Sequence, residues 1–424
     1  MNVKHLLLLL VILSGVGCVT TDPKKITIYK DHNYELPDSN PAQPNDATIW
    51  YYYSRNDTHR YAPSRNIIVE PAPESVQFDR AVESHPKIDA QLARSTVLSY
   101  LYLESGKVIY DAVPPKDRFK GEITNDSYFV SNSVGKSVTS YILGHAICEG
   151  YIESVYAPIQ DWPLMESTLY FGQPLINLLN MRAGDENVIA SYSSKYKKTG
   201  RHFHDNPPLA TAANNPLELN NTKPIKNAGY SYSNLAADVL TNYTMHRVGY
   251  DYEKFLTSFF HDKVKNEHPI YFYTMKVTGV PENWHKQRID LGAGTYMFWA
   301  TRYDYLRIAN AMMEDWRNNT CEGRYLKEVY EHRISNGRRG TWAKQDQRWG
   351  YPTFGHTSSR YGGQFWTDIN GLSGENVLVM LGYNGQVIAM NMDKERIVVI
   401  NAAKDKHYNT KMLGYEPLKY GRIN

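Results

Sequence analysis

The sequence predicts an α/β (α+β) fold, in which an antiparallel sheet flanked by helices is assembled from both ends of the chain around an inserted, mainly helical domain. Three observations support this prediction. Residues 96–110 have the pattern of a β-hairpin, apolar residues at helical spacing dominate from about 136 to 335, and strand patterns return after residue 336. The two ends of the chain are therefore expected to meet in one sheet.

The N-terminus has the pattern of an export signal. Lys4 supplies a positive charge, residues 6–13 form an apolar core, and residues 14–17 are small before Cys18. The apolar stretch is too short to span a bilayer as a stable helix. We expect residues 1–18 to be a signal peptide with a lipoprotein cleavage box. A lipid on Cys18 would then anchor the exported protein to a membrane, in the periplasm or at the cell envelope; plain secretion is the alternative.

The remaining chain divides into a tether and two domains. Residues 19–74 are largely polar, with Pro, Asn and Asp scattered through them, and are interpreted as a tether and N-terminal extension. Residues 75–135 and 336–424 carry the strand signals and form the predicted sheet domain. Residues 136–335 form the predicted mainly helical domain.

Periodicity and turn residues predict the individual elements. A helical pattern covers about 75–94, and strands at 96–103 and 108–110 flank a turn at Ser105 and Gly106. The helices predicted in the inserted domain cover 137–148, 174–181, 233–247 and 302–316. The strands predicted near the C-terminus cover 364–366, 377–381, 386–390 and 396–400.

Composition limits the classes of partner and leaves the cysteines open. The 424 residues include 47 Lys and Arg against 44 Asp and Glu, a formal net charge of +3 with both signs interspersed. Because no basic tract is present, a nucleic-acid partner is not expected. Besides Cys18, the chain has only Cys148 and Cys321. In an oxidising compartment these two either pair or stay buried as free thiols, and the sequence favours neither outcome.

Ser133 and Lys136 are the most informative pair in the chain. Three residues apart at the start of a predicted helix, their side chains share one face, with Cβ atoms about 5–6 Å apart. An amine in that position can take the proton of the serine hydroxyl and activate it as a nucleophile. An apolar run at 127–131 precedes the pair, so Ser133 is expected at a strand-to-helix junction. Free N–H groups and the helix dipole favour a developing negative charge there.

Three other kinds of site fit the sequence less well. A phosphate-binding loop needs a glycine where this chain has Val130. A Ser-His-Asp hydrolase with the Gly-x-Ser-x-Gly motif needs a glycine in place of Ser131. His202 and His204 lack a third ligand at recognisable spacing, so we expect no metal site.

Four segments in one order resemble motifs of the serine β-lactamase and penicillin-binding-protein superfamily, in particular its class C-like esterase and 6-aminohexanoate-oligomer hydrolase branch. The resemblance extends over about residues 75–405. The four segments are Phe-Val-Ser-Asn-Ser-Val-Gly-Lys-Ser-Val-Thr-Ser at 129–140, Leu-Leu-Asn-Met-Arg-Ala-Gly at 178–184, Tyr-Ser-Tyr-Ser-Asn at 230–234 and Gly-Tyr-Asn-Gly-Gln at 382–386. The resemblance implies a β-lactamase-like fold.

The resemblance also implies roles for three side chains. Ser133 would attack a carbonyl and form an acyl-enzyme, Lys136 would act as the base, and Tyr232 would exchange a proton with Ser133 or the leaving group. A lysine with its ordinary pKa of about 10.4 is almost wholly charged at neutral pH. The role of base therefore requires surroundings that disfavour the ammonium form. This chemistry needs no cofactor.

Three further residues would bind or orient the substrate. By the resemblance, Asn234 would orient the lysine or hydrogen-bond the substrate, although an asparagine there could also cap the helix that follows. The oxyanion would lie between the N–H of Ser133 and a second donor on the strand near Tyr383. Gly385 belongs to the same motif.

One departure from the superfamily bears on the substrate. Its third motif, Lys or His followed by Ser or Thr and Gly, is absent from the C-terminal strands; Lys198-Thr199-Gly200 has the right letters but precedes Tyr232 in a polar loop at 185–228. That motif helps to bind a substrate carboxylate, so its loss favours a carboxylester or linear amide without that group. The alternatives are a D-Ala-D-Ala carboxypeptidase, a β-lactamase-type activity, or a catalytically silent binding protein of the same fold.

Overall fold

The computed structural model describes residues 26–29, 34–37, 46–57, 66–190, 221–276, 290–292, 298–338, 342, 351–404 and 407–424. The strands are β1 Ile26–Tyr29, β2 Tyr34–Pro37, β3 Asn66–Val69, β4 Asp79–Arg80, β5 Val97–Glu104, β6 Lys107–Ala112, β7 Tyr128–Val130, β8 Ile270–Lys276, β9 Asp290–Gly292, β10 Phe298–Thr301, β11 Ile334–Ser335, β12 Ser358–Gly362, β13 Phe365–Ile369, β14 Val377–Gly382, β15 Gln386–Asn391 and β16 Arg396–Ala402. The α-helices are α1 Asp46–Asp57, α2 Pro86–Arg94, α3 Val134–Cys148, α4 Leu175–Leu179, α5 Asn234–Val248, α6 Tyr252–Ser258, α7 Arg302–Asn318, α8 Cys321–Glu331, α9 Phe354–Thr357 and α10 Glu416–Tyr420.

The larger sheet joins the two ends of the chain. Within the described residues its strand order is β11-β12-β13-β14-β15-β16-β5-β6-β4, and every neighbouring pair is antiparallel except β4 with β6. β16 pairs with β5 over seven positions, with Ile400 opposite Tyr100. The predicted hairpin and the predicted C-terminal strands are confirmed, and so is the fold class: antiparallel sheet flanked by helices.

A smaller sheet lies outside the main one and supports the turn that carries Ser133. Its order is β3-β8-β10-β7, with β9 on β8. β10 pairs with β7 so that Trp299 faces Val130. Three of these strands, β8 to β10, fall within residues 136–335, where the sequence indicated mainly helices. The run Ile-Tyr-Phe-Tyr-Thr-Met-Lys in β8 is rich in residues that fit a pleated surface, and pairing on both sides fixes it as a strand.

α3 runs through the middle of the molecule. Its residues from Val134 to Ala146 are all buried, which explains why the apolar residues of the segment are spread around the helix and not confined to one face. It packs against α5, α8 and β14. Ser133, the candidate nucleophile, therefore lies at the N-terminus of a helix that is buried along most of its length.

Three local expectations need correction. The helical pattern at 75–94 contains a helix only from Pro86, whereas Asp79 and Arg80 form the short strand β4. The N-terminal extension contains a helix, α1, and one of its residues, Ile49, is buried in the core. α8, starting at Cys321, lies inside the predicted helical domain 136–335, although no separate helix was predicted at that position.

Cys148 and Cys321 are joined by a disulfide. Their Cα atoms lie 5.8 Å apart, within the usual range for a disulfide, and the bond connects the last residue of α3 to the first residue of α8. Of the two outcomes that the sequence left open, pairing is the one found.

Next to this disulfide a buried carboxylate is held by a histidine and a lysine. His145 Nδ1 lies 2.8 Å from Glu322 Oε1, and Lys263 Nζ lies 2.9 Å from Glu322 Oε2. Burial alone would raise the pKa of Glu322, but the hydrogen bonds from His145 and Lys263 outweigh it and lower the pKa to about 2. The group therefore prefers to be ionised in the folded protein.

We expect this carboxylate to make the protein less stable in acid. Because the pKa of Glu322 is lower in the folded chain than its ordinary 4.5, its stabilisation is present above about pH 4.5 and is lost as the pH falls towards 2. The lost contribution is on the order of 3 kcal/mol. Thermal denaturation between pH 6 and pH 2 measures it, and Glu322→Gln should flatten the dependence of Tm on pH. An equally steep dependence in that variant would assign the effect to other carboxylates.

Candidate active site

The turn between β7 and α3 presents Ser133 in a fixed position. Asn132 has a φ of 46°, a left-handed conformation that asparagine tolerates better than most side chains. The Ser131 N–H donates to the Phe298 carbonyl over 2.7 Å, and the Phe298 N–H donates to Ser131 Oγ over 3.1 Å. Asn132 Nδ2 donates to the Tyr383 carbonyl over 2.7 Å. The turn is thus held from the smaller sheet on one side and from the end of β14 on the other.

Ser133 and Lys136 contact each other as the spacing predicts. Lys136 Nζ donates a hydrogen bond to Ser133 Oγ over 2.8 Å. The lysine is 1% exposed, whereas the serine is partly open. Ser133 immediately precedes α3, and the N–H groups of Val134, Gly135 and Lys136 donate to the carbonyls of Ser131, Asn132 and Ser133 over 3.0–3.2 Å. The site therefore combines a partly open serine hydroxyl and a buried amine at a helix N-terminus.

Tyr232 completes the predicted trio. The Lys136 Nζ lies 4.9 Å from the centre of the Tyr232 ring. On its other sides the ring stacks with Trp366 at 6.0 Å and an interplanar angle of 21°, and meets Tyr361 edge-on at 6.2 Å. Burial raises the pKa of Tyr361 well above its ordinary value, so that phenol stays protonated. Tyr232 is thereby fixed between aromatic rings and the amine.

The segment that carries Tyr232 is anchored at both ends. The Ser231 N–H donates to the Met181 carbonyl over 2.7 Å, and Met181 itself has a φ of 54°. Ser233 caps α5, with its Oγ accepting from the Ala236 N–H over 3.0 Å. The side chain between these two anchors, Tyr232, is therefore directed by the backbone.

Asn234 is the first residue of α5 and not its cap. The alternative in which Asn234 caps the helix is wrong, because Ser233 provides the cap. The Oδ1 of Asn234 is buried, and among the described residues it has no hydrogen-bond partner. A buried amide oxygen without a partner costs roughly 1–3 kcal/mol, so the site offers an acceptor that a ligand can satisfy.

Asp185 anchors the segment that carries Tyr232 through a hydrogen bond from Ser233, and the sequence analysis did not identify it. Its Oδ2 accepts hydrogen bonds from Ser233 Oγ over 2.5 Å and from Tyr170 over 2.7 Å, while the residue is 1% exposed. Burial raises the pKa of Asp185, against the effect of these hydrogen bonds. An acidic residue after Ala-Gly is too common a pattern to mark such a role in advance.

The end of β14 lies directly against the turn between β7 and α3, residues 131–133, which is called the nucleophile turn below because it carries the candidate nucleophile Ser133. A Cβ on Gly382 would collide with the Ser131 carbonyl oxygen, and it would come within 2.9 Å of Gln386 Cβ and 3.2 Å of Asn132 Cβ. Tyr383, the next residue, has a half-exposed side chain. Its backbone is thus beside Ser133, where the resemblance places the second oxyanion donor. The Gly385 carbonyl accepts from the buried Tyr408 hydroxyl over 2.9 Å, and a substrate-binding role for Gly385 stays a prediction.

Some sequence-based expectations fall on other parts of the chain. Cys18, the loop segment 191–220 and with it Lys198-Thr199-Gly200 lie outside the described residues. In the described part, no group of three or more His, Cys, Asp and Glu is placed to hold a metal ion. A search of the same residues for a helix long and apolar enough to cross a membrane finds none.

Comparison with known proteins places the fold. No family model and no curated protein matches the sequence. Among solved structures, the "putative 6-aminohexanoate-dimer hydrolase" from Bacillus anthracis aligns with a TM-score of 0.59 and 12% identity, covering 88% of this chain and 93% of that one. The octameric penicillin-binding protein homologue from Pyrococcus abyssi aligns with a TM-score of 0.50 and 16% identity, covering 78% of this chain and 74% of that one. The chain therefore has the fold of these two structures, an antiparallel sheet flanked by helices.

Proposed function

We propose that this protein is a serine hydrolase that cleaves a carboxylester or linear amide through an acyl-enzyme on Ser133. The observation that best supports this proposal is the 2.8 Å contact between Ser133 Oγ and the amine of the buried Lys136. A solvated helix lysine would have no reason to be enclosed beside a serine hydroxyl, because burial of an ammonium group is costly. The similarity to structures of hydrolases agrees with the proposal at the level of the fold.

Acylation uses this pair first. Ser133 Oγ attacks the carbonyl carbon while its proton passes to the amine of Lys136, and the carbonyl oxygen takes on negative charge. The Ser133 N–H and a backbone N–H at Tyr383 stabilise that charge. Removing one such donor in other enzymes costs about 2.7–4 kcal/mol of transition-state stabilisation. The bond to the alcohol or amine leaving group then breaks, and the leaving group receives a proton by way of Tyr232 and Lys136.

Deacylation runs through the same groups in reverse. A water molecule gives a proton to the Tyr232–Lys136 pair and adds to the acyl carbon. The bond between that carbon and Ser133 Oγ then breaks, the serine regains its proton, and the acid is released. Asn234 is the first residue of α5, and its buried Oδ1 has no hydrogen-bond partner among the described residues. We therefore assign Asn234 to hydrogen bonding with the substrate.

A fluorophosphonate probe tests the nucleophile independently of the natural substrate. A serine activated by a neighbouring amine displaces fluoride from phosphorus and keeps the phosphonyl group. We expect peptide mapping by mass spectrometry to find the adduct on Ser133, and labelling to stop after heat denaturation. Absence of an adduct, with the protein folded, would favour the catalytically silent binding protein.

The export signal leads to a second proposal, on location. We propose that the mature chain begins at Cys18 and carries a diacylglycerol there, so that the hydrolase works at the cell envelope from a lipid anchor. Mass spectrometry of the mature protein decides this, since an unmodified N-terminus at another residue is incompatible with the anchor.

A further inference from the structure

We propose that Arg338, lying on the face of Trp366, forms a subsite that binds a carboxylate group of the substrate. This inference rests on the proposed function, since it specifies the substrate class of the same site. The guanidinium carbon of Arg338 is 5.1 Å from the centre of the Trp366 ring, and Trp366 stacks in turn on Tyr232. The arginine thus belongs to the aromatic wall that continues from the candidate catalytic residues.

The position of Arg338 relative to β14 places its charge near the end of that strand. Its Nη1 donates to the Gly355 carbonyl over 2.7 Å. A Cβ built on Gly355 would lie 3.7 Å from that same Nη1 and 3.3 Å from the side chain of Leu381. Leu381 directly precedes the Gly382–Tyr383 step beside the nucleophile turn. The guanidinium therefore lies near the end of β14, beside the turn that carries Ser133.

The charge of Arg338 is not neutralised by the described residues. The side chain is exposed, and its single hydrogen bond goes to a backbone carbonyl, with no carboxylate in the described part of the chain at ion-pair distance. Four of the five guanidinium N–H groups therefore point to no described acceptor. Buried arginines of this protein are used differently: Arg302, for example, is paired with Asp111 and bonded to two backbone carbonyls.

Tyr230 provides a second hydrogen-bond donor next to Trp366. The Tyr230 ring is 6.3 Å from Trp366, and its hydroxyl is buried without a hydrogen-bond partner among the described residues. Burial raises the pKa of Tyr230, with the nearby charge of Arg338 opposing it, so the hydroxyl keeps its proton. A protonated phenol and a guanidinium on one indole are the donors that a carboxylate accepts from, and the planar fork of arginine matches both carboxylate oxygens.

This subsite changes the expectation drawn from the missing third motif. Loss of that motif indicated substrates without a carboxylate. The cation is instead contributed by the segment between β11 and α9, and the tryptophan by β13. The substrate class inferred is an ester or linear amide that carries a free carboxylate on its acyl or leaving-group side.

Binding to the Ser133→Ala protein tests the subsite without requiring turnover. The probes are two stable amide pairs, glutaric acid mono-4-nitroanilide with its methyl ester and 4-butyramidobenzoic acid with its methyl ester, titrated by tryptophan fluorescence. We expect at least one acid to bind about tenfold more tightly than its ester at low salt. The preference should fall to about one in Arg338→Gln, survive in part in Arg338→Lys, and shrink at 0.5 M NaCl because of screening.

Arg324→Gln is the matched control. Arg324, on α8, is also exposed, and its side chain also donates to one backbone carbonyl, that of Asn319. The acid preference should be unchanged in it. Equal binding of acids and esters, or a preference that survives Arg338→Gln in a variant folded by circular dichroism, overturns the subsite. Because Ser133→Ala does not turn over, neither result depends on whether the unaltered protein is a hydrolase.

Discussion

Replacing Lys136 with methionine is expected to lower kcat/KM for p-nitrophenyl butyrate at least about a thousandfold. Methionine fills a similar buried volume, so the loss should come from the missing amine 2.8 Å from Ser133 Oγ and not from unfolding. Without the amine, the serine hydroxyl loses the 2.8 Å partner to which its proton passes. Ester hydrolysis and circular dichroism, measured on the same preparation, separate the two causes.

Lys136→Arg distinguishes a base from a mere positive charge. A guanidinium places a permanent positive charge beside Tyr232 and is not deprotonated at any working pH, so it cannot take the serine proton. We expect this variant to be as inactive as the methionine variant. Substantial activity in Lys136→Arg would mean that the lysine contributes charge or packing, and that another group is the base.

Gly382→Ala is expected to reduce kcat by about a hundredfold while leaving the protein folded. The added methyl would collide with the Ser131 carbonyl, a backbone atom that cannot rotate away, and would crowd Gln386 and Asn132. The end of β14 must then move away from the nucleophile turn and take the backbone of Tyr383 with it. Displacing a catalytic group by about 1 Å typically costs a factor of this size.

Gly229→Ala provides the control for a methyl added near the site. Gly229 precedes the segment that carries Tyr232, and a Cβ there meets no atom within 4 Å. Its activity should stay within about twofold of the original, because the added group fills open space. If Gly382→Ala retained full activity, the contact between β14 and the turn would have no part in holding the oxyanion donor.

The fold and the contact at the centre of the site could be predicted from the sequence, because both depend on regular spacing along the chain. Strand and helix periodicities identified the sheet at both ends, and the spacing of Ser133 and Lys136 fixed their contact because a helix turn dictates it. The order of the four motifs brought Tyr232 and Tyr383 into the same prediction. All four residues lie around the β7–α3 turn in the structure.

The residues that sequence reasoning missed are those placed by tertiary contacts alone. Trp366 and Tyr361 face Tyr232 only because β12 and β13 extend the sheet past β14. Asp185 supports Ser233 from a turn 48 residues earlier, and no local pattern marks such a pairing. Arg338 was not singled out because its contact with Trp366 joins two distant segments and cannot be predicted from sequence periodicity.

Hydrolysis of p-nitrophenyl butyrate by the protein beside its Ser133→Ala variant tests the central claim most directly. Alanine removes only the hydroxyl, so the fold and the other groups of the site should stay in place. We expect release of p-nitrophenol by the unaltered protein and a rate indistinguishable from the uncatalysed reaction in the variant. Equal rates in the two proteins would contradict a Ser133 acyl-enzyme.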